Sequence, residues 1–341
     1  MRKLKDALTD VQGIKVGHAQ DIEALTGCTV ILCENGAVVG VDQRGGGPGT
    51  RETDLIRPLH HVKEVHAIVL AGGSAYGLDA ASGVMRFLEE KGIGYDVRVA
   101  RVPIVPAAIL FDLNIGKSNV RPDAEMGYLA CQNASSKAPA EGNVGAGTGA
   151  SVGKILGVEH AMKSGIGSAS VDAGGGVIVG AIAAVNAIGD VIDPQTNQII
   201  AGARTFFLGE HRIGAGEFFA DTLQIMKMRA SGLIPGFAPW GNTVIGVVAT
   251  NARLNKEEAN IMAQMAHDGL ARTIRPAHLT RDGDTIFALS TSKRKADLDT
   301  IGAFAAQVFS QAILNAVRAA GPVAGLPSIS SLKICQTIDR A

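Results

Sequence analysis

Apolar residues along this chain follow two patterns. One is the short continuous run: "CTVILC" (28–33), "AVVGV" (37–41), "AIVLAGG" (67–73), "VPAAIL" (105–110), "VIVGAIAAVNAIGDV" (177–191), "VIGVVAT" (244–250) and "TIFALST" (285–291). Runs of this length, rich in Val, Ile and Ala and bounded by Gly, Asn or Asp, predict strands covered on both faces. Glu34-Asn35-Gly36 reads as a turn that splits the first two. The other pattern has helical spacing. Leu78, Ala81, Met85 and Leu88 predict a helix that enters at Ser74 and stops at Gly92. "NKEEANIMAQMAHDGLAR" predicts a helix capped by Asn255 with acids in its first turn. Ile301, Phe304, Ala305, Val308 and Ile313 form one stripe of a helix over 297–320.

Strands and helices mix without a steady alternation. That favours a layered α+β architecture over a regular doubly wound sheet. A chain of 341 residues, 46% hydrophobic, has ample material for a core. With a net charge of zero, nothing here resembles a nucleic-acid footprint, which would need a basic face. The longest apolar run is too short for a membrane span and carries Asn186. The N-terminal "MRKLKDALTDVQG" lacks the apolar segment of a secretion signal, so a cytoplasmic protein is expected. Cys28, Cys33, Cys131 and Cys335 have no metal-binding spacing and fit reduced, partly buried thiols. The eight histidines do not cluster, so neither a metal nor another cofactor is expected.

The 43 glycines gather in clusters such as "RGGGPG" and "GNVGAGTGASVG". "GAGTGA" at Gly145 satisfies a relaxed dinucleotide pattern, but no strand precedes it. "GASVGK" fails as a phosphate loop: Thr148 stands where the first glycine belongs, and Ile155 stands where Ser or Thr is required. Lys154 then reads as a solvated lysine. Asn186 reads as a satisfied structural amide at a strand end or as a donor aimed at a reaction centre. Asp282-Gly283-Asp284 reads as a hairpin turn or as a carboxylate pair.

Asn242-Thr243 stands at the threshold of a buried strand. An ordinary turn explains it. Cutting the 242–243 bond gives a different chemistry, because Thr243 gains an α-amine with a reference pKa of about 7.7–8.0. One residue then supplies both nucleophile and base.

The ordered motifs "GVDQRGGGPGTRETDL", "AIVLAGGSAYGLDAASGVMRFLEE", "EGNVGAGTGASVGK", "AAVNAIGDVID", "GNTVIGVVATNARLNKEEAN" and "GLARTIRPAHLTRDGDTIFALST" span nearly the whole chain. Together they resemble the autoprocessing N-terminal-nucleophile hydrolases. That family includes D-aminopeptidase/esterases, β-peptidyl aminopeptidases and nylon-oligomer (6-aminohexanoate oligomer) hydrolases. The resemblance implies a four-layer αββα sandwich, one domain built from a large chain (1–242) and a small chain (243–341), and a homo-oligomer, expected to be a tetramer, of the cut units. It also implies that Asn242–Thr243 is the cleavage site and Thr243 the nucleophile. Asn186 then matches the oxyanion donor, Lys154 a lysine beside the nucleophile, Asp282 and Asp284 the acidic pair, and Tyr76 a tyrosine bordering the pocket. The aminopeptidase branch uses Gly-Ser at the cut. The Asn-Thr here, with Lys154, is similar to the nylon-oligomer branch. The implied activity is hydrolysis of linear amides or short peptides without a cofactor. A β- or D-amino-acid aminopeptidase/esterase is the alternative. An acyltransferase of related fold and a nucleotide-binding module are the remaining rivals.

Overall fold

The computed structural model describes residues 4–208, 210–234 and 241–332. Its main sheet has nine strands: β1 (Lys15–Asp21), β2 (Thr26–Arg44), β3 (Thr50–Arg51), β4 (Glu64–Ala71), β5 (Ala107–Ile109), β6 (Ile166–Asp172), β7 (Ile178–Asn186), β8 (Thr243–Ala252) and β9 (Asp284–Arg294). The helices are α1 (Ala80–Glu90), α2 (Ala124–Gln132), α3 (Thr222–Ala230), α4 (Lys256–Thr273) and α5 (Leu298–Arg318). Strand order is β6-β7-β8-β9-β2-β4-β5-β3, with β1 paired to the first half of β2. The β8–β9 and β4–β5 pairs are parallel; the other pairs are antiparallel.

The two strands expected at 28–33 and 37–41 are one strand. Glu34-Asn35-Gly36 is a bulge, with the β2–β4 register slipping between Leu32 and Ala37. Gly36 sits at φ +82°, a conformation glycine adopts without strain, and pairing resumes beyond it. The first half of β2 pairs with β1 and β4 and the second half with β9. The bulged strand therefore carries the chain from one layer into the next.

Alternation along the strands shows those layers. Ile31 and Val39 of β2, Ile68 and Leu70 of β4, Ile182 of β7, Ile245 and Val247 of β8, and Phe287 of β9 share one buried core between the two halves of the sheet. The opposite face of the first half (Val30, Leu32, Val69) packs on α1 and on Ala130 and Cys131 of α2. The opposite face of the second half (Ala181, Ala183, Val248, Ala288) packs on α4 and α5. Helix, sheet, sheet and helix thus stack in the expected αββα order.

Helix α4 starts at a capping box: the Asn255 side chain accepts from Glu258 N–H and the Glu258 carboxylate from Asn255 N–H, both at 2.8 Å. Helix α5 is long and apolar enough to cross a membrane by composition, but it is mostly buried against the sheet and α4. The predicted helix at Ser74 begins as a 3₁₀ turn, Ser74–Asp79, and becomes α-helical only at Ala80. The glycines of "GAGTGA" are buried, and the amides of its first three residues are committed. Gly145 N–H donates to Gln20, Ala146 N–H to Thr29 Oγ1 and Gly147 N–H to Val144 O, so none is turned out to cradle a phosphate.

Candidate active site

Three strand ends meet at one edge of the inner layers. Asn186, the last residue of β7, is registered opposite Thr243, the first of β8. Parallel pairing of β8 with β9 sets Asp284, the first residue of β9, beside them. Lys154 arrives on a 3₁₀ turn (Lys154–Leu156) that hangs from the loop after β7: Gly153 N–H donates to Gly189 O and Lys154 N–H to Ile188 O, each at 3.1 Å. Sequence spacing alone could not bring these segments together; the sheet register does.

The Thr243 hydroxyl is buried and donates to the carbonyl oxygen of Asn242 at 2.5 Å. Gly283 N–H donates to the same oxygen at 3.2 Å. One residue back, Gly241 O accepts from Asn186 Nδ2 at 3.3 Å and lies 3.4 Å from Lys154 Nζ. Gly241 sits at φ +80° with its backbone against the Phe111 ring, where a Cβ would fall 2.2 Å from Cγ. Only glycine suits that approach.

Asn186 is fully buried and fully engaged. Its Nδ2 also donates to Phe111 O at 2.8 Å, and its Oδ1 accepts from Ser151 N–H at 3.1 Å and Lys154 Nζ at 2.8 Å. Lys154 is 1% exposed, which overturns its reading as a solvated lysine. Burial pushes its amine down to about 7, against the pull of Asp282 and Asp112. Asp282 and Asp284 are both buried, so the "DGD" turn is also a carboxylate pair. Burial raises Asp282 to about 7, with Asp284 adding to the rise and Lys154 and His278 opposing it. Asp282 Oδ2 accepts from Leu279 N–H at 2.7 Å, while its Oδ1 is buried without a hydrogen-bond partner among the described residues. Asp284 Oδ1 accepts from Val244 N–H at 2.8 Å.

Tyr76 stands apart from this cluster. It is 61% exposed on the Ser74–Asp79 turn, with the Arg121 guanidinium 3.9 Å above its ring. The turn is tied toward the site by its root, since Gly73 N–H donates to Asp112 Oδ1 at 2.7 Å. Sequence reasoning missed three neighbours: Asp112, His278 and Phe111. Asp112 and Phe111 follow an apolar strand and carry no spacing signal. His278 lies just upstream of "DGD", and a histidine beside two acids at a strand entry was the available signal. Among the described residues, no three His, Cys, Asp or Glu side chains gather as a metal would require.

Comparison with known proteins gives the family and the fold. The profile of peptidase family S58 matches residues 6–329. The chain belongs to peptidase family S58. An uncharacterized aminopeptidase of Mycobacterium tuberculosis (strain ATCC 25618 / H37Rv) is 43% identical, over 95% of this chain and 96% of that protein. A 6-aminohexanoate-oligomer endohydrolase of Kocuria sp. (strain KY2) is 32% identical, over 91% of this chain and 85% of that protein. Among solved structures, a Burkholderia sp. beta-aminopeptidase superposes with a TM-score of 0.70 at 20% identity, covering 100% of this chain and 95% of that one. The L-aminopeptidase D-Ala-esterase/amidase of Ochrobactrum anthropi, described as a variant of the Ntn hydrolase fold, gives 0.67 at 21% identity, covering 92% and 86%. This S58 chain therefore has the N-terminal-nucleophile hydrolase fold and is a hydrolase of amide or peptide bonds.

Proposed function

We propose that Thr243 is the nucleophile of this hydrolase and is unmasked by self-cleavage of the Asn242–Thr243 bond. The observation that carries the reading is the Thr243 hydroxyl, held 2.5 Å from the carbonyl oxygen of its own preceding residue. Attack of Oγ on that carbonyl carbon moves the acyl group from nitrogen to oxygen, and the hydroxyl proton ends on the freed amine. Gly283 N–H already points at the oxygen where negative charge develops. Water then hydrolyses the ester, leaving residues 1–242 as the large chain and 243–341 as the small chain. Asp282 Oδ1, buried without a hydrogen-bond partner among the described residues, is the acceptor this reading assigns to the new ammonium.

In turnover the Thr243 α-amine takes the hydroxyl proton and returns it to the leaving amine. Asn186 Nδ2 supplies the oxyanion donor once the cut frees the hydrogen that Gly241 O accepts in the uncut chain. Lys154 tunes the nucleophile by its charge, and Asp282 and Asp284 orient the amine. Tyr76 borders the substrate entrance. Substrates are linear amides: short peptides or 6-aminohexanoate-type oligomers, as the relative from Kocuria supports. The greater identity to the mycobacterial aminopeptidase supports the second reading, a β- or D-amino-acid aminopeptidase/esterase. The exposed apolar side chains Leu59, Val97, Val99 and Val102 support assembly of the cut units into a homo-oligomer, which we take to be a tetramer. Buried, unpaired Cys28, Cys33 and Cys131 fit a reducing cytoplasm.

Denaturing mass spectrometry of the purified protein tests the reading. Two chains are expected, the smaller beginning at Thr243. Thr243→Ala should stay uncut and inactive, and Thr243→Ser should keep both functions at reduced rate. A wild-type protein that remains one chain and is fully active would overturn it.

A further inference from the structure

The acidic pair at the site is gripped by a dipeptide that the chemistry above does not use. The His278 imidazole and the carboxylate of Asp284 meet at 2.7 Å, Nδ1 to Oδ2. The next residue, Leu279, donates its backbone N–H to Asp282 Oδ2, also at 2.7 Å. Asp282 N–H in turn donates to Leu279 O at 2.9 Å, closing a short turn. One dipeptide therefore holds one oxygen of each acid. The backbone at His278 makes this double grip: its φ of +58° is left-handed, a region that among non-glycine residues His, Asn and Asp visit most readily.

Asp284 is consequently fixed by both of its oxygens. Oδ2 is engaged by His278, and Oδ1 accepts from the N–H of Val244, the residue after Thr243. Two bonds to different elements set the plane of the carboxylate and, through it, the first peptide of β8. With Asp284 as acceptor, His278 carries its proton on Nδ1. Its Nε2 is buried without a partner among the described residues. The ring is braced from α4 by His267, edge-on at 4.9 Å, and His267 Nε2 is anchored at 3.1 Å from Asp42 O of β2. The charged or titratable groups around the ring are Asp282 and Asp284 at the start of β9, His267 on α4, and Asp42 and Arg44 of β2 behind it. His267 is held neutral by burial, pushed down to about 3, so it braces the ring without adding charge.

We propose that His278 is a positioning residue: by donating from Nδ1 to Asp284 in a left-handed turn, it fixes the acidic pair against the first residues of β8. This rests on Thr243 being the nucleophile. A group that holds a catalytic neighbour in place typically changes activity by about 10–100-fold when lost, without touching substrate.

The test compares His278→Asn with His278→Asp. Both side chains are isosteric and both tolerate φ > 0. Only asparagine places an N–H donor where Nδ1 stands. The expected result is self-cleavage and kcat within about threefold of wild type for His278→Asn, and losses of about 10–100-fold in both for His278→Asp, with KM unchanged. His278→Leu, which has no donor, should match the aspartate variant. Equal rates in the asparagine and aspartate variants, whether both high or both low, would overturn the proposal, because a purely conformational turn residue treats them alike. A change confined to KM would overturn it too. The nucleophile reading stands or falls separately on Thr243→Ala: if that variant is inactive while His278→Asp is fully active, only the positioning role is lost.

Discussion

Lys154 and Lys163 make an instructive pair. Both are buried, both are pushed by burial to about 7, and both donate to backbone carbonyls. Lys163 donates to Gly147 O, Ala150 O and Ser164 O, closing a loop on itself. Lys154 donates to Asn186 O and Oδ1 and lies beside Gly241 O, next to a hydroxyl, an amide and two acids. The same perturbation closes a loop in one case and faces the proposed nucleophile in the other. A shifted lysine therefore marks burial; what it faces decides whether it reacts or supports.

The largest expected effect that divides the two is on rate. Lys154→Met should lower turnover of uncharged model amides by about 10²–10³, the usual cost of one polar group at a reaction centre. Lys154 is a cation only up to about 7, and there it would lower the α-amine that self-cleavage gives Thr243, so its removal should move the foot of the rising pH–rate limb to higher pH. Lys163→Met should leave the rate per folded molecule within about threefold. Equal losses in the two variants, measured as kcat on the same amide, would erase the distinction.

Asp282 sharpens the contrast next. Asp282→Ala and Asp284→Ala should slow both self-cleavage and turnover, by about 10²-fold if a reacting group is displaced by an ångström. Normal cutting in both, followed by time-resolved denaturing gels, returns "DGD" to a plain turn. A smaller effect concerns stability. Lys163→Met removes one donor from each of three carbonyls, of which Gly147 O and Ala150 O keep a backbone N–H partner, and should cost about 1–2 kcal/mol in urea unfolding.

A further effect is the slope of stability with pH. The folded state releases the Lys163 proton near 7, while the unfolded chain keeps it to about 10.4. Between those values the unfolded state binds more protons, so stability rises with pH, by at most about 1.4 kcal/mol per unit for each such lysine. Urea midpoints at pH 7 and 9 should therefore differ less in Lys163→Met than in wild type. Asp282 acts with the opposite sign in a lower window. Its raised carboxyl contributes stability below about 4, and that contribution fades as pH climbs to about 7.

Much of the frame was legible in the sequence because apolar runs report burial directly. Asn255 caps α4 as its local pattern implies, and the helix expected from Asp297 has that residue as its cap. The bulge at Glu34-Asn35-Gly36 was not legible: its residues are turn formers, and only β4 and β9 alongside keep the strand going through it. Lys154 was misread for a related reason. Lysine is ordinarily exposed, and its burial depends on a turn suspended from the distant loop after β7. Thr243, Asn186, Asp282 and Asp284 are assembled by strand register, so the motifs named them while only the fold joined them. Cys335 and Trp240 lie outside the described residues.

The order of strands has a consequence for the two pieces that a cut at 242–243 creates. β8 and β9 belong to the shorter piece, yet they lie between β7 and β2 of the longer one. Each piece is laced into the other along two ladders of backbone hydrogen bonds, with α4 and α5 of the shorter piece covering strands of both. Their dissociation is therefore the same event as unfolding, and dilution alone should not separate them. Expressed by itself, residues 243–341 would bare two apolar strands and the inner faces of two helices, a fragment destined to aggregate unless its counterpart folds around it.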